Sequence, residues 1–159
     1  MAVITGLLNT EQVVPSDVFG WEVNTDVGYG RESFTITVGD GVRVGTILEV
    51  DYAAKTATPL AAPADAAAVE ALGELAVFVG RDLPVNPSTL QDFERLSMTE
   101  DGDGVAITRG DGRGVLKKGY LDLAGTQFYA LPDDVQAALV AKFTTENRFK
   151  VLDQQYTPA

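Results

Sequence analysis

The 159-residue chain contains no cysteine and no histidine. The first absence removes disulfides, thiolate metal sites and cysteine nucleophiles together, and it leaves the redox compartment undecided. The second removes the commonest general base near neutral pH and the commonest zinc ligand, and with them most familiar hydrolase constellations. Positive charge is scarce as well: 12 Lys and Arg stand against 23 Asp and Glu, a formal charge of −11. A field of that sign repels phosphate backbones, so nucleic acid is not an expected partner. Apolar runs are short. Leu75-Ala76-Val77-Phe78-Val79 falls far below the ~20 residues that cross a bilayer, so no membrane partner is expected. Met1-Ala2-Val3-Ile4-Thr5 lacks a basic n-region and a long apolar h-region, so no secretory signal is expected either.

What is present suits one domain that folds without staples, since a chain of this length buries roughly 68–70% of the surface its unfolded form exposes. Residues 1–30 carry apolar pairs at Val3-Ile4, Leu7-Leu8 and Val13-Val14, broken by turn-formers and Pro15, with no sustained period. They read as an extended N-terminal arm, or as an edge strand and loop of the same domain. Residues 31–159 then form a single β-rich domain. From Ser33, alternation of Phe34, Ile36 and Val38 with Thr35 and Thr37 predicts a half-buried strand. Asp40-Gly41 signals a turn, and Val42, Val44, Leu48 and Val50 resume the alternation around a bulge at Gly45, which together suggest a hairpin.

Lys55 to Leu72 is rich in alanine and proline and predicts a loop, with a short helix over Ala64 to Leu72. The apolar run 75–79 predicts a central buried strand. Asn86-Pro87 or the Ser88/Gln91 pair predicts a short helix ending near Leu96. Beyond an acidic turn at Glu100 to Gly104, Val105, Ile107 and Val115-Leu116 read as antiparallel strands joined by Gly110-Asp111-Gly112-Arg113-Gly114. Leu121, Leu123 and Phe128-Tyr129 extend the β region. Asp133 and Asp134 open a helix with a Val135, Leu139, Phe143 stripe and Lys142 in its last turn, and Arg148 to Leu152 close the domain as a strand. The fold class is therefore α+β and β-rich, a barrel-like body with a few short helices.

Candidate chemistry is thin. Asp101-Gly102-Asp103 places carboxylates on a turn, yet the fifth position from Asp101 is Val105 and the twelfth is Gly112, so the EF-hand pattern fails. Gly28-Tyr29-Gly30 and Gly110 to Gly114 complete neither the dinucleotide spacing nor the Walker lysine and hydroxyl, and turns explain them. Arg109-Gly110-Asp111 spells an adhesion tripeptide that recurs by chance. Asp133-Asp134 and Asp101 with Asp103 are carboxylate pairs of the kind glycosidases use, but a helix start and a solvated turn account for them. Lys117-Lys118 reads as a solvated pair. No catalytic residue, metal ligand or cofactor is expected. Phe19, Trp21 and Tyr29 are either interface aromatics or core.

The order of elements resembles the lambda-type head decoration (capsid cement) proteins of tailed bacteriophages. Gly45-Thr46-Ile47-Leu48 resembles that family's "G-T-V-L" strand, and Leu75 to Val79 its next apolar strand after an alanine-rich linker. Val105-Ala106-Ile107-Thr108-Arg109-Gly110, with Val115-Leu116 and Leu121, resembles its "V-x-V-L-x-R-G-x-x-x-V" region before a short terminal helix, here Val135 to Phe143. The likeness spans 34–152; the insertion between Val85 and Gly104 and the N-terminal segment depart from smaller members. The resemblance implies a compact β-tulip-like body, made in the host cytoplasm and placed as a homotrimer on the outside of an expanded virion head. Its partner there is the major capsid protein, whose neighbouring subunits it bridges. Strand addition by Val3, Ile4, Leu7, Leu8, Val13 and Val14 is the expected capsid contact. The alternatives are a tail or head–tail connector protein and, from another class, a metal-dependent β-barrel hydrolase requiring Asp101, Asp103 and Asp111 to converge.

Overall fold

The structure, a computed structural model, describes residues 15–21, 30–81 and 96–152. A single helical turn, α1 (Pro15–Val18), runs into strand β1 (Phe19–Trp21). Then come β2 (Arg31–Ile36), β3 (Val42–Arg43), β4 (Ile47–Asp51), β5 (Thr56–Pro59), helix α2 (Ala66–Glu70) and β6 (Glu74–Arg81). β7 (Ser97–Met98), β8 (Gly102–Ile107), β9 (Val115–Lys117), β10 (Asp122–Leu123) and β11 (Thr126–Gln127) precede the long helix α3 (Asp133–Thr145) and β12 (Lys150–Leu152).

Five strands close a barrel in the order β2-β5-β4-β6-β8, antiparallel except for β2 against β5. A five-stranded barrel has a narrow lumen, so interior positions must mix large and small side chains. Phe34, Ile36, Leu48 and Phe78 alternate there with Ala57, Ala76, Ala106 and Gly104. Gly104 is fixed by this packing: a Cβ would stand 2.5 Å from Ile36 Cδ1 and 2.8 Å from Phe78 Cε2.

The outer face of the wall formed by β4, β6 and β8 is buried too. Ile47, Val77 and Ile107 join Phe19, Leu116, Leu121, Phe128, Val135, Leu139 and Phe143 in a second core. This core lies beneath α3 and a three-stranded sheet, β1-β9-β12, in which β12 runs parallel to β9. Hence β6 reads as an uninterrupted apolar run, since both its faces need apolar side chains, while β2, with one covered face, alternates as expected. The helical stripe Val135, Leu139, Phe143 is wholly buried, and Asp133 and Asp134 occupy the exposed first turn.

Several pairings differ from the sequence reading. The strands within 33–50 form no hairpin: β3 pairs with β7, and β4 lies beyond β5 from β2. Two successive turns cause this, closed by Gly41 N donating to Val38 O and Thr46 N donating to Arg43 O, each at 2.9 Å. The bulge expected at Gly45 is present: Gly45, at φ +95°, and Thr46 together face Phe78, Gly45 N donating to Phe78 O at 3.0 Å and Phe78 N donating to Thr46 O at 2.9 Å, and the Tyr120 carbonyl 2.5 Å from a notional Cβ makes the same glycine a crossing point of two chain segments. β5 falls in a stretch read as loop. Its tight return from β4 is built by Asp51 Oδ1, which accepts from Ala53 N and Ala54 N at 2.9 Å, and by Lys55 at φ +57°. Likewise β8 and β9 do not pair; they belong to different sheets, and the glycine-rich loop between them makes the transfer. Phe128 and Tyr129 lie in a 3₁₀ turn rather than a strand. The helix expected near 86–96 lies outside the described residues up to its last position.

Phe78→Ala in the lumen and Phe143→Ala beneath α3 are each expected to cost about 3–5 kcal/mol. Because one wall carries both cores, urea unfolding followed by fluorescence and by circular dichroism should remain a single coincident transition in each variant.

Candidate functional site

Where the barrel end meets the last turn of α3, the surface forms a groove of about 370 Å³. Lys142 enters it from the helix with its side chain only 8% exposed. Its ammonium donates to Leu72 O at 3.2 Å and to Glu146 Oε1 at 2.9 Å, so this cation ties α3 to the segment after α2 besides complementing the helix end. Asn147, just past the helix, is buried and donates from Nδ2 to Leu75 O and to Thr108 O, both at 2.7 Å. One carboxamide thus links the start of β6, the end of β8 and the helix C-terminus. Its Oδ1 has no hydrogen-bond partner among the described residues.

Tyr52 and Thr108 line the same groove. Burial raises the Tyr52 phenol above its ordinary value of 10.0; the charges of Glu32 and Glu74 push the same way, against a hydrogen bond with Thr108 and the charge of Arg109. The amide and ammonium groups of this groove are thus engaged within the fold, and Glu74 and Glu146 line it beside them.

A second depression, about 450 Å³, lies between the β3–β7 and β10–β11 ribbons. Arg43 crosses it, donating from Nη1 to Val44 O at 2.8 Å and to Tyr120 O at 3.4 Å, with Nη2 3.9 Å from Asp122 Oδ1. Asp122 also accepts from Gly125 N at 3.1 Å and from the Thr46 hydroxyl at 3.5 Å. These groups satisfy one another and staple the ribbons to the barrel.

The carboxylates nominated from sequence do not converge. Asp101 Oδ1 accepts from Val38 N at 2.9 Å and Asp103 Oδ1 from the Thr35 hydroxyl at 3.0 Å, both at one end of the barrel. Asp103 is within β8 rather than on a turn. Asp111 lies past the opposite end of β8, at 3.8 Å from Arg109 Nε. A six-residue strand separates them by roughly 17–20 Å. The convergence that a hydrolase would need is therefore not formed, and no group of three or more His, Cys, Asp or Glu placed to hold a metal occurs among the described residues. Asp134 instead accepts from Ala66 N at 3.3 Å.

The loop Gly110 to Gly114 is a turn, with Asp111 and Gly112 at positive φ, held by Gly110 N donating to Asn147 O and Gly112 N to Arg148 O. Arg148 itself has φ +58°. It stands two places beyond the C-cap Glu146, and the left-handed conformation, which glycine or asparagine adopts readily, costs an arginine about 1 kcal/mol. Phe19 is a core residue at 6% exposure, and β1 pairs with β9, so this part of 1–30 belongs to the folded body. Val3, Ile4, Leu7, Leu8, Val13, Val14 and Tyr29, as well as the side chain of Trp21, lie outside what is described.

Comparison with protein-family models, with curated proteins and with solved structures found no match for the chain. Sequence reasoning passed over Tyr52, Asn147 and Arg148. Asn147 follows the helix at a position where asparagine often serves as a cap, which was the one available signal.

Asn147→Ala leaves two buried carbonyls without this donor and is expected to cost about 2 kcal/mol or more in chemical denaturation. Tyr52 bears on pH dependence. A phenol whose folded pKa is raised contributes stability that is complete below about pH 10 and is lost as pH rises through the folded pKa. Stability measured from pH 9 to 12 should accordingly fall less steeply in Tyr52→Phe than in the parent.

Proposed function

We propose that this chain is a structural virion protein that binds the outer surface of an expanded capsid of a tailed bacteriophage and stabilises it by bridging neighbouring major capsid subunits. The observation that carries the reading is where the family-like segments fall. Gly45 to Leu48 leads into and forms β4, Leu75 to Val79 lies in β6 and Val105 to Ile107 in β8. These are neighbours in one barrel wall, with Ile47 opposite Val77 and Val77 opposite Ile107. Val115-Leu116 follows on β9, whose Leu116 packs on the same wall's outer face. Segments that resemble the decoration family thus make up one continuous structural unit.

The physical role is linkage. A protein that binds the assembled shell and not its dissociated parts stabilises the shell by about 2.7 kcal/mol per site at a free concentration one hundred times its Kd. The −11 charge suits an exterior place, away from packaged DNA. In this reading the protein acts as a homotrimer on the virion surface, and Val3 to Val14 adds a strand to an exposed capsid edge, backbone bonds giving affinity and the apolar pairs giving register.

Cosedimentation with expanded, undecorated capsids of the cognate phage is expected to show saturable binding in a fixed ratio to capsid subunits, with raised heat resistance of the shells. Absence of binding to those shells overturns the proposal. Removal of residues 1–14 should weaken binding tenfold or more, a loss of about 1.4 kcal/mol or greater; undiminished binding would remove the arm from the mechanism.

A further inference from the structure

Among the described residues the acidic molecule has a basic corner. Residues 109–118 and 148–152 carry six of the chain's 12 Lys and Arg against one of its 23 Asp and Glu. Backbone bonds hold the two stretches side by side: Gly112 N donates to Arg148 O at 2.7 Å and Lys150 N to Gly114 O at 2.8 Å. Arg113, Arg148 and Lys150 are exposed, and none of the three makes an ion pair among the described residues. Leu152, two positions beyond Lys150 and so on the same strand face, is 49% exposed. Their strand, β12, is an edge of its sheet.

Arg148 supplies an independent observation. Its φ of +58° is a conformation that glycine adopts without strain, and among the described residues its side chain makes no hydrogen bond that holds the fold together. Strained backbone of this kind clusters where a side chain serves something other than the fold. We propose that this corner docks an acidic, extended segment of a partner protein, with carboxylates against Arg113, Arg148 and Lys150 and an apolar side chain against Leu152. A short segment stays within the patch. A long polyanion would run onto the surrounding acidic surface, within the ~10 Å over which charges act at ordinary ionic strength. Leu152 also has no counterpart on a phosphate backbone. The inference stands apart from the capsid reading, because the partner is defined by its chemistry alone.

The test uses the full chain, labelled for NMR, and three blocked hexapeptides alternating leucine with glutamate, glutamine or lysine, at low salt. The glutamate peptide is expected to shift the amides of 112–116 and 148–152 and to lose that effect in 300 mM NaCl. Arg148→Gly should weaken its binding at least fivefold while the thermal midpoint stays level or rises, an outcome that a structural role for the arginine would reverse. Lys150→Gln, on an exposed side chain, should weaken it as well. Equal shifts from the glutamine peptide, or full affinity in both variants, would overturn the proposal. So would tighter binding of a single-stranded DNA decamer at the same amides, or shifts there that depend on protein concentration alone. These last two results would assign the corner to phosphate or to a second copy of the chain.

Discussion

The wall formed by β4, β6 and β8 is buried on both faces, and the rest of the molecule is arranged around that requirement. Inside, it must meet β2 and β5 across a lumen so narrow that Ala76, Ala106 and Gly104 are needed beside Phe34 and Phe78. Outside, its side chains Ile47, Val77 and Ile107 need cover that the barrel cannot supply. The second sheet and α3 provide it. Each large buried side chain contributes about 1.5–3 kcal/mol by leaving water, so a wall uncovered on either side would forfeit a large part of the net stability of a domain this size.

Polar groups placed at the margins of that wall decide how its cover is attached. Asn147 ties the end of α3 to β6 and β8 through two carbonyls, Lys142 reaches the segment after α2, and Arg43 with Asp122 holds the small ribbons at the other side. Each closes a gap between elements that belong to different layers. A buried carbonyl without a donor costs about as much as a packed side chain gains, so these few groups matter more than their number suggests.

The surface is divided by the same architecture. The barrel carries Glu32, paired with Lys55, and Asp101 and Asp103, which accept from a backbone amide and a hydroxyl, whereas residues 109–118 and 148–152, in and beside the covering sheet, hold six of the chain's 12 Lys and Arg. The proposed docking of an acidic segment draws on the edge of the covering sheet, whereas the proposed capsid contact is assigned to Val3 to Val14, outside the described residues.

Local chemistry determined a good deal. Alternation placed β2, the apolar run placed β6, and the 135, 139, 143 stripe with its acidic start placed α3, because each of these signals depends only on which faces of one element are buried. Absence of cysteine and histidine narrowed the chemistry in the same direct way. Pairing was decided by tertiary structure alone. That β2 should skip β4 to lie beside β5, or that β8 and β9 should part into different sheets, depends on turns at Lys55, Gly45 and Asp111 whose handedness follows from contacts such as Tyr120 O against Gly45. The groove at Asn147 and the corner at Arg148 were illegible for the same reason: each is assembled from segments far apart in the chain, and only closure of the barrel brings them into hydrogen-bonding range.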